Sequence, residues 1–272
     1  MLLAMTLATA ISIRSINQSQ SDLRFEELVD SISLEVDAEF NKSLSELAAI
    51  RGFLEATEYV TPEQFRTFAS ALEQANWSVN ALGFIKKVEA DETIEFNQMM
   101  SFQLNDEFAL EEDGYRSYYL PVAFTYPETL GILNPGEDLV LHPRYTPLMN
   151  AAESENKIVA SAPVPSASNP HDQAVVLVFT PIFGYSQNSS ESPVLRGFGT
   201  GVYRVADFLA GPVERAGIGN ISFRVVDIED GGIGQEVFPV PNGTSEAEWE
   251  NGITHVAKLD LAGRDWQLQF SR

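Results

Sequence analysis

The chain offers few residue combinations that could perform bond chemistry. Its three histidines, His142, His171 and His255, are scattered, and none has the partner four residues away that a helical metal site would supply. There is no cysteine, so a thiolate nucleophile, a disulfide framework and a cysteine-ligated zinc are all excluded. No Gly-x-Ser-x-Gly elbow occurs, and carboxylate pairs among 39 acids have no meaning without geometry. Glu229-Asp230-Gly231-Gly232-Ile233-Gly234 reads as a turn; no lysine and no strand-to-helix context follow it, so it is not a phosphate cradle. No catalytic residue, metal site or cofactor is assigned. The residue that stands out is Asp138, which follows Pro135-Gly136, a dipeptide suited to the centre of a type II turn, and precedes a helix expected from about Pro143. On position alone it is a carboxylate that caps a turn or helix.

The elements around it follow from periodicity. From Phe25 the apolar residues Phe25, Leu28, Ile32, Val36, Phe40, Leu44, Leu47, Ile50 and Leu54 recur about every 3.6 residues, which predicts an amphipathic helix of about 35 residues. A helix of that length must either pack along a whole domain or pair with a copy of itself. We expect a stalk with dimer contacts along part of it, the alternative being a helix packed on its own domain. Thr61-Pro62-Glu63-Gln64 is a helix start with a Thr cap, Pro at the first position and Gln three residues on. The helix is expected to run to about Gln74.

Strands are expected over Val79–Ile85, Tyr118–Tyr126, Lys157–Pro163, Ala174–Phe183 and Val194–Val205, with helices near Asp91 and from Pro143 to Ser154. Pro121 and Pro127 mark Tyr118–Tyr126 as an edge or irregular strand. The polar stretch Tyr185–Pro193 reads as a hairpin loop. A helix Ala206–Ala216 and strands Ile221–Ile228, Ile253–Leu261 and Asp265–Phe270 form a smaller second unit. The class is α+β, with antiparallel sheets carrying helices on one side.

Charge narrows the partners. A formal charge of -22 repels phosphate backbones and excludes nucleic-acid binding; it also argues against lying flat on an anionic membrane. Leu2–Ile13 is an apolar run of 12 residues, whereas a spanning helix needs roughly 20. Its first cation, Arg14, follows the run, unlike a signal peptide. We read it as the outer end of a transmembrane helix.

Four segments, Tyr118-Tyr119-Leu120-Pro121-Val122, Gly136-Glu137-Asp138, Lys157-Ile158-Val159-Ala160-Ser161-Ala162-Pro163 and Val175-Val176-Leu177-Val178-Phe179-Thr180-Pro181-Ile182, resemble in order and spacing the CHASE domain. That family comprises extracytoplasmic ligand sensors of membrane-bound histidine kinases, diguanylate cyclases and adenylyl cyclases. The resemblance implies a remnant of a transmembrane helix and juxtamembrane segment over 1–20, a stalk helix over 21–57, a membrane-distal PAS-like ligand module over 58–205 and a membrane-proximal PAS-like module over 206–272. The last module contains Gly263-Arg264-Asp265-Trp266, similar to the family strand that leads into a second membrane span. The expected setting is the periplasmic side of the inner membrane, as a homodimer joined through the N-terminal helix.

The resemblance also implies site residues. In the cytokinin receptors of the family the aspartate matching Asp138 accepts hydrogen bonds from the ligand, and the backbone matching Ala160 supplies a second contact. Tyr119, Pro121 and Phe179 are expected on the walls and Thr200 and Gly201 at the floor. An ionised carboxylate accepts but cannot donate, so Asp138 selects ligands with N–H groups or positive charge, such as a purine edge, an amine or a guanidine. Ala160 and Thr200 depart from the receptors' leucine and glycine, so the ligand is not inherited with the fold. A periplasmic hydrolase or transferase, and a protein-binding dimerisation module without a small ligand, are the alternatives.

Overall fold

The computed structural model describes residues 2–75, 79–110, 116–127, 132–164, 174–186, 189–216, 222–228, 234–238, 249 and 253–271. One helix, α1 (Leu2–Ala56), runs through the expected remnant and the expected stalk without a break. The reason is local: residues 14–24 contain no Gly or Pro, so nothing interrupts the helix between the two apolar parts. Phe25, Val29, Ile32, Val36, Phe40, Leu47, Ile50 and Leu54 are all buried, against the protein's own sheets and α5 (Val205–Ala216). The expected stripe thus lies against its own domain. Leu28 and Leu44 flank it only partly buried, and Ser43 sits within it fully buried. Among the described residues no helix is long and apolar enough to cross a membrane.

The end of α1 is held from the sheet. Arg196 donates to the carbonyls of Leu54 (2.9 Å), Thr57 (2.9 Å) and Glu58 (2.5 Å), satisfying oxygens that a helix end leaves without intrahelical partners. The chain then turns into α2 (Pro62–Gln74), whose start is the expected capping box: the Thr61 hydroxyl accepts from Gln64 N–H, and the Gln64 side chain accepts from Thr61 N–H.

Five strands form the larger antiparallel sheet: β1 (Ala81–Lys86), β4 (Val122–Tyr126), β5 (Val159–Ala160), β6 (Val175–Ser186) and β7 (Ser189–Arg204), in the order β4-β1-β7-β6-β5. β4 is an edge strand, as its flanking prolines require. A two-stranded ribbon joins β2 (Val88–Glu89) to β3 (Tyr118–Tyr119). α1, α2 and α3 (Thr93–Leu104) pack on one face of the large sheet, and α4 (Thr146–Glu155) covers the other. The expected loop at Tyr185–Pro193 is mostly paired: Tyr185 faces Pro193 and Ser186 faces Ser189.

The smaller sheet has the order β10-β11-β8-β9, built from β8 (Ser222–Ile228), β9 (Gly234–Phe238), β10 (Ile253–Asp260) and β11 (Asp265–Ser271). β9 was not expected, because Gly234 belongs to a glycine-rich stretch that reads as turn. The remainder of that stretch, 229–233, lies outside the described residues, as does His171. β10 and β11 are joined by Leu261-Ala262-Gly263-Arg264, with positive φ at Ala262 (51°) and Gly263 (87°), the signature of a type I′ hairpin. Arg264 then reaches the fully buried Asp227 with two nitrogens, Nε to Oδ1 at 2.8 Å and Nη2 to Oδ2. The apolar residues Phe223, Val225, Leu268 and Phe270 belong to the same core as Val36 and Tyr203, so α1 joins both sheets.

Two outcomes test this packing. Ile50→Ala should cost about 3 kcal/mol in urea unfolding because it opens a cavity where α1 meets Gly199, whereas Leu34→Ala, on the exposed face, should change stability by less than about 0.5 kcal/mol. Burial, then the Glu46 carboxylate, raises the Tyr203 hydroxyl well above its ordinary value of 10.0, and that hydroxyl donates to Ser43 O at 3.1 Å. A group raised in the folded state contributes fully below its unfolded value and loses that contribution as pH rises. Stability should therefore fall above about pH 10, and less steeply in Tyr203→Phe, measured by denaturant midpoints across alkaline pH.

Candidate functional site

Asp138 is placed by a turn and by a neighbouring strand. Asn134-Pro135-Gly136-Glu137 forms the expected type II turn: Gly136 has φ of 87°, and Glu137 N–H donates to Asn134 O at 3.0 Å. The following residues run antiparallel to Leu120–Val122. Val122 N–H donates to Glu137 O (2.9 Å), Leu139 N–H donates to Leu120 O (3.0 Å), and Pro121 lies opposite Asp138. Oδ1 of Asp138 accepts from Leu120 N–H (2.9 Å) and from Val140 N–H (3.1 Å), capping the short 3-10 turn Leu139–Leu141. Oδ2 accepts from Arg116 Nη1 at 2.7 Å, and the Arg116 guanidinium lies 4.3 Å from the centre of the Tyr119 ring.

The capping role read from position is therefore present, and it leaves acceptor capacity. A carboxylate has about four lone-pair sites, and three are used here. The Asp138 side chain retains 14% exposure, enough to meet a further donor.

The sheet face covered by α4 carries a row of paired residues across its strands: Thr125, Gly83, Thr200, Phe179 and Val159. A Cβ on Gly83 would come within 2.9 Å of Thr200 Cγ2 and 3.2 Å of Leu133 Cδ1, so glycine sets how closely the cover approaches. The Oγ1 atoms of Thr125 and Thr200 are buried without a hydrogen-bond partner among the described residues. Such hydroxyls are the groups that ordered water or a ligand would satisfy. Phe179 packs at 5.6 Å from Tyr145, whose ring stacks on His142 at 4.0 Å. Burial raises the Tyr145 hydroxyl above its ordinary value.

The expected residues do not all converge. Pro121 lies beside Asp138, and Leu120 and Leu139 on either side of that bridge share a core with Phe179. Thr200 is directly opposite Phe179. Tyr119 and the Ala160 side chain belong instead to the core on the α1 side, and Gly201 faces the Tyr203 ring, where a Cβ would meet Cε2 at 2.8 Å. The Ala160 amide donates to Ala262 O at 3.1 Å, tying β5 to the β10–β11 hairpin. Sequence reasoning missed Arg116 and Thr125. Arg116 lies two residues before the first quoted segment and is one of only 17 cations, which was the available signal; Thr125 had none. Among the described residues no group of three His, Cys, Asp or Glu could hold a metal ion.

The CHASE domain family model matches residues 58–238, more than half of the chain. No curated protein matches the sequence. Among solved structures, an extracellular ligand-binding receptor from Desulfohalobium retbaense is similar at 11% identity with a TM-score of 0.57, covering 90% of this chain. The present chain spans 39% of that receptor. The ligand-binding domain of the Pseudomonas aeruginosa amino-acid chemoreceptor PctC, solved with GABA, is similar at 9% identity with a TM-score of 0.55. That match covers 91% of this chain and 98% of the chemoreceptor domain. At these identities the likeness is one of fold.

Substitution separates the two tasks of Asp138. Asp138→Ala leaves the Leu120 and Val140 N–H groups and Arg116 without their acceptor and should cost about 2–3 kcal/mol in urea unfolding. Asp138→Asn keeps Oδ1 and should cost about half of that. Equal losses would mean that the Arg116 pair, not the two amides, carries the stabilisation.

Proposed function

Because the chain belongs to the CHASE domain family, we propose that it is the extracytoplasmic ligand-sensing region of a membrane-anchored signalling receptor whose output is a histidine kinase or nucleotide cyclase. The ligand is a small molecule with N–H groups or positive charge, taken by Asp138 in the module over 58–205. The observation that supports this best is the state of the Asp138 carboxylate: it is fixed by two backbone amides and Arg116, and Oδ2 keeps an acceptor site. The row containing Thr200 and Phe179, with its two unsatisfied hydroxyls, supplies a floor for the ligand, and Thr125 joins it there. The neighbouring chemoreceptor domain was solved with GABA, an amine of the kind such an acceptor selects.

The signal passes through the β5 edge. Ala160 N–H holds the carbonyl of Ala262, and Arg264 in the same turn is fastened to Asp227, so movement of β5 is transmitted to β11 and to the membrane helix that follows it. A ligand can drive this shift only by its differential affinity for two arrangements of the sheet. The N-terminal part of α1 leads to the membrane, and the exposed Leu23 on its outer side provides a contact for a homodimer.

A thermal-shift screen of purines, amines and amino-acid derivatives tests the reading in the parent chain and in Asp138→Asn. Stabilisation follows RT ln(1 + [L]/Kd), about 2.7 kcal/mol at a hundredfold excess over Kd. A ligand of this site should raise the melting temperature of the parent and much less that of the variant. Equal shifts in both would remove Asp138 from recognition.

A further inference from the structure

The α1 side of the larger sheet, opposite the row containing Thr200, contains a cavity of about 460 Å³, within the range of small-molecule sites. None of the residues expected from the sequence to bind ligand lines it. Its apolar lining comes from Phe84 on β1, Phe124 on β4, and Phe96 and Met99 on α3. Alternation along β1 puts Lys86 on the same face as Phe84, and the Lys86 side chain also lines the space.

The wall opposite is built by a bulge. Ile182 pairs with Gly197 and Phe183 with Leu195, so Arg196 is left without an opposing residue and its side chain is re-aimed toward the end of α1. Gly197 has φ of 143°, and a Cβ there would come within 2.0 Å of Ile85 O; a Cβ on Gly184 would come within 2.3 Å of Arg196 Cδ. Only glycine leaves room for this arrangement at both positions.

The charges around the cavity are mostly engaged. Lys87 pairs with Glu89 at 2.8 Å, the Glu92 carboxylate accepts from Glu89 N–H at 3.3 Å, and Arg196 holds carbonyls at and just past the end of α1, with the Glu58 carboxylate close by. Lys86 differs: it is half-buried, and its ammonium has no ion pair or hydrogen bond among the described residues. In a chain of net charge -22 with four glutamates around this cavity, an ammonium left beside an apolar floor is matched to an anion from outside. The same glutamates oppose a multiply charged anion.

We propose that this cavity is a second ligand site, distinct from the Asp138 site, that takes a small monocarboxylate with an aromatic or alkyl body. The acid meets Lys86 and the body rests on the phenylalanines and Met99. The occupant also abuts Arg196, so it biases the end of α1 directly and not through β5.

Calorimetry on the whole chain tests this with phenylacetate, its neutral counterpart phenylacetamide and the cationic phenethylamine. Phenylacetate should bind saturably to the parent and equally well to Asp138→Asn. It should bind about tenfold more weakly to Lys86→Gln and be excluded from Met99→Trp, which fills the floor. Lys86 and Met99 are only partly buried, and unchanged unliganded melting temperatures check that both variants fold. No saturable phenylacetate binding at millimolar concentration, equal binding of the amide or the amine, or a loss in Asp138→Asn with Lys86→Gln unaffected, would each overturn the proposal.

Discussion

Burial of one face of α1 is the constraint on which the remainder of the structure depends. A helix of 55 residues has no reason to remain single and straight in water on propensity alone; its stability comes from the apolar stripe it places against tertiary neighbours. That stripe runs from Phe25, near the smaller sheet, to Leu54, beneath the larger one, and so fixes how the two sheets sit together. Long-range polar contacts pin the helix along its length: Arg215 to Glu35 at 2.7 Å, Tyr203 to Ser43 at 3.1 Å, Arg51 to Asn156 at 2.8 Å, and Arg196 at its end. The exposed pairs contribute little energy singly. Tyr203 and Arg196 meet α1 in more buried surroundings and matter more.

The larger sheet consequently has two differently built faces. The face under α1 is packed with aromatic and aliphatic side chains and leaves a cavity at one margin, between Lys86 and Arg196. The face under α4 carries Thr200, Thr125 and Phe179, and beside it the carboxylate of Asp138. Asp138 both shapes the backbone and remains an acceptor, because an aspartate two residues before an amide can cap it while its second oxygen faces elsewhere. The cost is that recognition and local stability share one side chain, which is why the amide variant is more informative than alanine.

The join between the two sheets is narrow outside α1. Among the described residues it consists of α5, which touches β7 and β9, and of a backbone hydrogen bond from β5 to the β10–β11 turn, a turn stiffened by a pair between Arg264 and the fully buried Asp227. Removing one partner of such a pair leaves an uncompensated charge in the interior, so the turn cannot readily take another shape. A rigid turn against a two-residue edge strand transmits displacement with little loss.

The sequence by itself determined the features that depend on neighbouring residues. The 3.6-residue period marked the buried face of α1 at Phe25, Ile32, Val36 and Leu54; Thr61-Pro62 and Gln64 fixed a helix start; and Pro135-Gly136 fixed the turn before Asp138. Backbone preference and side-chain periodicity act over a few residues, so they can be read locally. Only the tertiary structure decided what covers the α1 stripe, since the same pattern serves a dimer partner or the chain's own sheets. It also decided that Arg116, 22 residues away, meets Asp138; that Thr125 and Thr200 flank Gly83 in one row; and that Gly201 and Tyr119 turn to the opposite side. Those relations depend on strand register, and shifting a strand by one residue exchanges its two faces, which no local signal specifies here.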